Sequence, residues 1–226
     1  MKEPSDDTQV EGLLITFEGG EGSGKSTQAR LLHEHLTALG REVIISREPG
    51  GTVLGEKIRQ VLLHPESKGM DPLSELFLYL AARKEHVEKV IRPGLMRGAA
   101  VVVDRFSDAT VAYQGYGRGL DVDFIQKLNG EVTGGLVPDI TFLLVMASVQ
   151  DGLNRAGRRH RLLKTTGDED RFEKEALSFH ELVRRGYLDL ARRFPQRIVT
   201  LDGEGTVEDI HRKVLDALTE RFTGRQ

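Results

Sequence analysis

The sequence predicts a three-layer α/β sandwich in which helices cover both faces of a five-stranded parallel sheet. Three observations carry that expectation. Five short apolar runs recur along the chain, continuous rather than alternating, as strands buried on both faces are. Segments with helical spacing separate them, which calls for parallel pairing through crossover helices. The 226 residues hold neither an internal repeat nor a low-complexity tract, so one domain around one core is the natural organisation.

Residues 1–11 are polar and are expected to form a flexible N-terminal tail ahead of a single domain over 12–226. Leu13-Leu14-Ile15-Thr16-Phe17 reads as the first strand, running into glycines. Ala29, Leu32, Leu36 and Leu39 then recur at helical spacing, and Gly40 closes the helix. Val43-Ile44-Ile45 gives a second strand, followed by the turn-rich REPGGT and a short helix around Lys57 to Leu63. A longer helix starts near Asp71-Pro72 and is expected to stop at Pro93-Gly94, with Leu73, Leu76, Phe77, Leu80, Val87 and Ile91 as its core stripe. Ala99 to Val103 is the third strand, Ile140 to Met146 the fourth and Ile198 to Leu201 the fifth. Phe172, Ala176, Phe179, Val183, Tyr187 and Leu190 share one helical face, and the last helix starts near Thr206.

Composition narrows the possible functions. With 38% hydrophobic and 30% charged residues the chain has a soluble globular profile, and a net charge of −3 gives no basic field to draw nucleic acid or an anionic membrane. No cysteine is present, so disulfides and cysteine metal sites are excluded, in keeping with a reducing compartment. The polar N-terminal segment lacks the apolar core of a secretory signal, and no run reaches transmembrane length. A cytoplasmic location is the expectation.

The motif with the clearest chemistry is Gly19-Gly20-Glu21-Gly22-Ser23-Gly24-Lys25-Ser26, followed by Thr27. It matches the phosphate-binding P-loop and sits between a strand and an amphipathic helix, making this a sandwich of the P-loop NTPase type. Its glycines let backbone N–H groups converge on phosphate oxygens at a helix N-terminus. Lys25 is expected to reach the β- and γ-phosphates of ATP, and Ser26 to hold Mg2+. Asp104-Arg105 lies at the carboxyl end of the third strand, where ligands of open α/β sheets bind. There Asp104 would act on the metal and Arg105 on a phosphate. The stretch from Arg155 to Arg171 carries Arg155, Arg158, Arg159 and Arg161 together with Gly157 and Gly167, and it departs from helical apolar spacing. It reads as a lid, with Arg155 toward ATP and Arg158 and Arg159 as candidate catalytic cations. Tyr79 and Arg83, four residues apart, can present a ring and a forked donor to one flat heterocycle.

In order and spacing, FEGGEGSGKST, REPGGT, YLAAR, DRF, AYQG and DRFE resemble the thymidylate kinase family over nearly everything from Leu13 to about Leu218. The resemblance implies phosphorylation of dTMP to dTDP by ATP with Mg2+, in a homodimer. It implies that Glu21 contacts the sugar 3′-hydroxyl and the metal region, and that Arg59 and Arg105 hold the acceptor phosphate. It further implies that Arg83 bonds the thymine ring, Thr110 and Gln114 line the nucleoside site, Tyr113 crowds C2′ and Pro49 shapes the pocket. The ring stacking on thymine is commonly phenylalanine in that family and is Tyr79 in this chain. Phe77 falls on the core stripe and reads as packing. The P-loop itself has no arginine, so the catalytic cation is sought in the lid.

Two rivals remain in view. One is another deoxynucleotide or deoxynucleoside kinase of this fold; a nucleoside kinase would need a general base for a neutral 5′-hydroxyl, and Glu18 is the one obvious candidate. A nucleotide-dependent switch would carry an N-K-x-D motif, which the sequence lacks.

Overall fold

In the computed structural model, residues 11–163 and 171–222 are described. The apolar runs form strands β1 (Leu13–Gly19), β2 (Val43–Arg47), β3 (Ala100–Asp104), β4 (Ile140–Val145) and β5 (Ile198–Asp202). All pair in parallel in the order β2-β3-β1-β4-β5. The register sets Phe17 and Arg47 against Asp104 on either side of β3, and Gly19 against Leu144. Every strand therefore ends on one edge, at the point where the order switches direction between β3 and β4, and that edge carries the site.

Side chains alternate across the sheet and so define the layers. Ile15, Phe17, Val102 and Phe142 face helices α1 (Lys25–Ala38) and α9 (Val207–Phe222). Leu14, Val101 and Val103 face the opposite way, against Val87, Ile91 and Phe106. That second layer also holds helices α2 (Val53–Leu63), α3 (Pro72–His86), α4 (Arg92–Met96), α5 (Ser107–Thr110), α6 (Val122–Thr133) and α8 (Leu177–Arg193), with α7 (Val149–Leu163) following β4. The result is the expected five-stranded sandwich.

Several boundaries differ from expectation for identifiable reasons. Helix α2 starts earlier, because the Thr52 hydroxyl caps it by accepting from Gly55 N–H at 2.9 Å. The long helix does not stop at Pro93-Gly94. A π-helical turn over Val87–Ile91 leads into α4, whose first turn contains Pro93 where no N–H is needed. Gly94 is required by contact: a Cβ there would come within 2.6 Å of Ile44 Cδ1. Phe77 is half exposed, at 50%, so it is not core packing. Helix α8 begins at Leu177, leaving Phe172 and Ala176 ahead of it. The first part of the expected lid continues α7 as a helix through Leu163, contrary to the broken spacing inferred around Gly157. The remainder, 164–170, and tail residues 1–10 lie outside the described residues. Between β3 and β4 the sequence reading had no elements; α5, a π-helical stretch Val111–Gly117 and α6, capped by Asp121, fill that interval.

Candidate active site

Strand β1 delivers the chain into the loop 19–24 and α1 carries it away, because three glycines adopt left-handed backbone there: Gly19 (φ 139°), Gly22 (φ 67°) and Gly24 (φ 95°). Side chains are excluded as well: a Cβ on Gly19 would strike the Leu144 carbonyl and one on Gly22 the Gly152 carbonyl of α7. Lys25 is buried; its Nζ donates to the Gly20 carbonyl at 2.7 Å and to Ser23 Oγ at 3.4 Å. Burial and the neighbouring Arg105 charge push its pKa down to about 8. Ser26 Oγ donates to Asp104 Oδ2 across the start of α1. A hydroxyl and a carboxylate oxygen converging there suit a hard cation. Among the described residues no cluster of three or more His, Cys, Asp or Glu could hold a metal alone. A pair such as Ser26 and Asp104 matches the donor set of Mg2+, which uses one or two protein oxygens together with phosphates.

Beside the loop lies a cleft walled by both charged and aromatic side chains. Glu21, Pro49, Arg59, Tyr79, Arg83, Arg105, Thr110, Tyr113 and Gln114 all line it. Arg105 stands at its mouth in left-handed backbone, φ 68°. Its guanidinium donates to Glu21 Oε1 (2.7 Å), Gly19 O (3.0 Å) and Tyr187 Oη (3.1 Å), and lies 4.9 Å from the Tyr113 ring centre. Tyr113 Oη donates to the same Glu21 oxygen at 2.8 Å. Burial opposes charge on Glu21, but Arg105, Lys25 and the Tyr113 hydroxyl outweigh it and hold its pKa at about 2. Farther in, Arg83 is 1% exposed and donates to Glu48 Oε2 (2.7 Å), Asn129 Oδ1 (2.7 Å) and Phe106 O (2.9 Å). Thr110 Oγ1 is buried without a hydrogen-bond partner, an available group in the cleft wall.

The thymidylate kinase family model matches residues 17–214. A thymidylate kinase of Geobacter sp. (strain M21) is 50% identical over 212 residues, covering 93% of each chain. One from Exiguobacterium sp. is 46% identical over 213 residues, covering 94% of this chain and 97% of its own. The chain belongs to the thymidylate kinase family. The crystal structure of thymidylate kinase from Ehrlichia chaffeensis superposes with a TM-score of 0.74 at 35% identity, over 92% of this chain and 99% of that one.

Within this family framework, the described cations of the lid stretch separate. Arg171, at the end of the lid stretch, is 5% exposed and tied to Leu62 O (2.8 Å) and Glu75 Oε2 (2.5 Å), so it anchors structure. Arg155 donates to Gly203 O at 3.1 Å, beside the P-loop rather than in the acceptor cleft. Arg158 is exposed on α7, and the Arg159 side chain lies outside what is described. Glu18, the candidate base for the rival kinase reaction, has both oxygens engaged by Phe106 N–H (2.7 Å) and Tyr187 O–H (2.8 Å) and does not line the cleft. Glu48, Asn129 and Phe172 were missed by the sequence reading. Glu48 lies inside the quoted REPGGT, and its place before a proline in a turn hides that it is a buried partner of Arg83 and His86.

Proposed function

We propose that the chain transfers the γ-phosphoryl group of ATP to dTMP, giving dTDP and ADP. The supporting observation is the convergence of acceptor-side residues on one cleft that opens beside the phosphate-binding loop at Glu21 and Arg105. Family membership supports the same reaction.

The residues divide the work. Backbone N–H groups of 19–24, with Lys25, Ser26, Thr27 and Arg155, bind ATP. Tyr79 stacks on the thymine, and Arg83, Thr110 and Gln114 contact its edge; Tyr113 crowds C2′ and Glu21 takes the 3′-hydroxyl. Arg59 and Arg105 hold the acceptor phosphate in line with the donor, and Pro49 shapes the turn beneath it. Ser26 and Asp104 would hold Mg2+, which neutralises charge on the donor phosphates when bound. Arg158 and Arg159 of the lid supply cations for the moving group. No strong base is needed, because the attacking phosphate oxygen is already anionic. The engaged, sequestered Glu18 is in keeping with that, and disfavours a nucleoside acceptor.

One folded unit over 12–226, with its lid at about 155–171 and a tail at 1–11, fits this division. A homodimer is the proposed assembly, on the family resemblance. The proposed location is the cytoplasm; among the described residues no helix is long and apolar enough to cross a membrane. A coupled ADP assay over a panel of nucleoside monophosphates tests the activity. Selective turnover of dTMP is expected, and equal turnover of all acceptors, or ADP release indifferent to dTMP, overturns it.

A further inference from the structure

Glu75 is a fully buried carboxylate on α3 that the reaction as described leaves unused. Its Oε1 accepts from Gln114 Nε2 (2.9 Å) and Arg118 Nε (3.1 Å), and its Oε2 from Arg118 Nη2 (3.3 Å) and Arg171 Nη2 (2.5 Å). Four N–H donors thus occupy the roughly four lone-pair sites a carboxylate offers. Two of the donors fix its surroundings: Arg118 also pairs with Glu175 at 2.7 Å, and Arg171 with the Leu62 carbonyl. Glu75 therefore cannot turn away from Gln114.

This arrangement decides which way round the Gln114 amide sits. An ionised carboxylate only accepts, so it fixes the amide nitrogen toward itself and repels the amide oxygen. Gln114 is 1% exposed and lines the acceptor cleft, where the oxygen is the end left for a ligand. Arg83 completes the pattern. Three of its five N–H bonds are held by Glu48, Asn129 and Phe106, leaving two donors and no acceptor beside the cleft. The wall thus offers a fixed acceptor from Gln114 and fixed donors from Arg83. A base with an N–H next to a carbonyl, as in thymine, satisfies both. Cytosine, with a bare ring nitrogen next to an amine, opposes both.

We infer that Glu75 is a positioning residue for base selectivity, acting through Gln114 by locking the amide oxygen toward the substrate. The inference rests on the dTMP reading and deepens it. In Glu75→Gln the new amide can keep its oxygen for Arg118 Nη2 and Arg171 Nη2 and, giving up the Arg118 Nε bond, donate its N–H to Gln114, which then turns its own NH2 to the base.

The experiment measures kcat/KM for dTMP and for dCMP, with KM for ATP, in the wild type, Glu75→Gln and Gln114→Met proteins. Wild-type preference for dTMP establishes the reaction independently of Glu75. For folded Glu75→Gln the dTMP-to-dCMP ratio is expected to fall about tenfold to a hundredfold, part of it through a gain with dCMP, while KM for ATP holds. A purely structural role would lower both acceptors together and leave the ratio unchanged, which overturns the inference. Gln114→Met keeps the Glu75 ion pairs and guards against misfolding of the first variant. Its ratio must also fall, but without a gain on dCMP, and an unchanged ratio there overturns the inference as well.

Discussion

Arg105 and Glu21 face each other at 2.7 Å where the phosphate-binding loop opens onto the acceptor cleft. Among the described residues Arg105 is the one non-glycine with a positive φ, a conformation that costs energy and persists because its surroundings over-determine it. Those surroundings are Gly19 O, Tyr187 Oη, Glu21 and the Tyr113 ring, all gripped by one planar fork. A lysine keeps the charge but cannot span them. Arg105→Lys is expected to lower kcat/KM for dTMP roughly tenfold to a hundredfold, the worth of one charged hydrogen bond. KM for ATP should change little. Unaltered dTMP kinetics would shift the acceptor-phosphate role to Arg59 alone.

Tyr113 carries two functions that can be separated. Its ring packs edge-on against Phe172, Phe179 and Tyr187, while its hydroxyl donates to Glu21. Tyr113→Phe keeps the ring, so the preference for dTMP over ribothymidine monophosphate should hold while overall efficiency drops. Tyr113→Leu removes the ring and should narrow that preference. Steady-state kinetics with both sugars decides, and an identical sugar preference in all three proteins removes Tyr113 from the C2′ contact.

Arg83 is more than a ligand contact. Its removal strands the buried Glu48 carboxylate, whose other side-chain partner among the described residues is His86 at 2.9 Å. Arg83→Ala should therefore destabilise the protein by about 3–5 kcal/mol, as breaking a buried ion pair does. It should also weaken dTMP use in the fraction that folds. Chemical denaturation measures the first effect; wild-type stability in the variant would mean that Glu48 finds another partner.

These residues also mark where the sequence was legible. The sheet, the loop and α1 could be read because buried parallel strands and glycine-rich phosphate loops leave continuous, position-specific signals. Helix α3 was read less well. Its stripe was read correctly at Leu76, Leu80, Val87 and Ile91, but its buried face also contains Glu75, Arg83 and His86, each satisfied by a partner distant in sequence, so apolar residues alone set the face too far round and took in the exposed Leu73 and Phe77. The Val111–Gly117 stretch was invisible for a related reason. Its π-helical geometry follows no 3.6-residue period, yet it is what carries Tyr113 and Gln114 to the cleft. Motif resemblance identified those positions before any pattern could.

Glu18 should give stability a measurable pH dependence. Burial, with the charge of Asp108, raises its pKa from 4.5 to about 8 against the opposing pull of Arg105, Phe106 N–H and Tyr187. Between those values the folded protein keeps a proton that the unfolded chain has released. This contribution to stability is therefore complete below about 4.5 and is lost as pH rises through about 8. Urea titrations from pH 5 to 8 should show wild-type stability declining, and Glu18→Gln should flatten that decline. Parallel curves for the two proteins would place the proton elsewhere.

The last prediction concerns the cation that meets the transferring group. The phosphate-binding loop has Gly20, Glu21, Gly22 and Ser23 where an arginine could have stood. Related phosphoryl-transfer sites gain roughly 10³–10⁵ in rate from an added arginine. Arg171 is committed to Glu75 and Leu62, and Arg155 reaches Gly203, so the proposal falls on Arg158 and Arg159 at the far end of α7. A lid arginine acts mainly on the closed transition state, so its loss should lower kcat more than it raises either KM. Neighbours on one helix can replace each other, which is why Arg158→Ala and Arg159→Ala should be made singly and together. The double variant should unfold at the wild-type temperature, because Arg158 is exposed, and should bind both nucleotides while turning over very slowly. If kcat survives in the double variant, Arg161 is the next to replace. If it survives there too, the lid does not supply the cation.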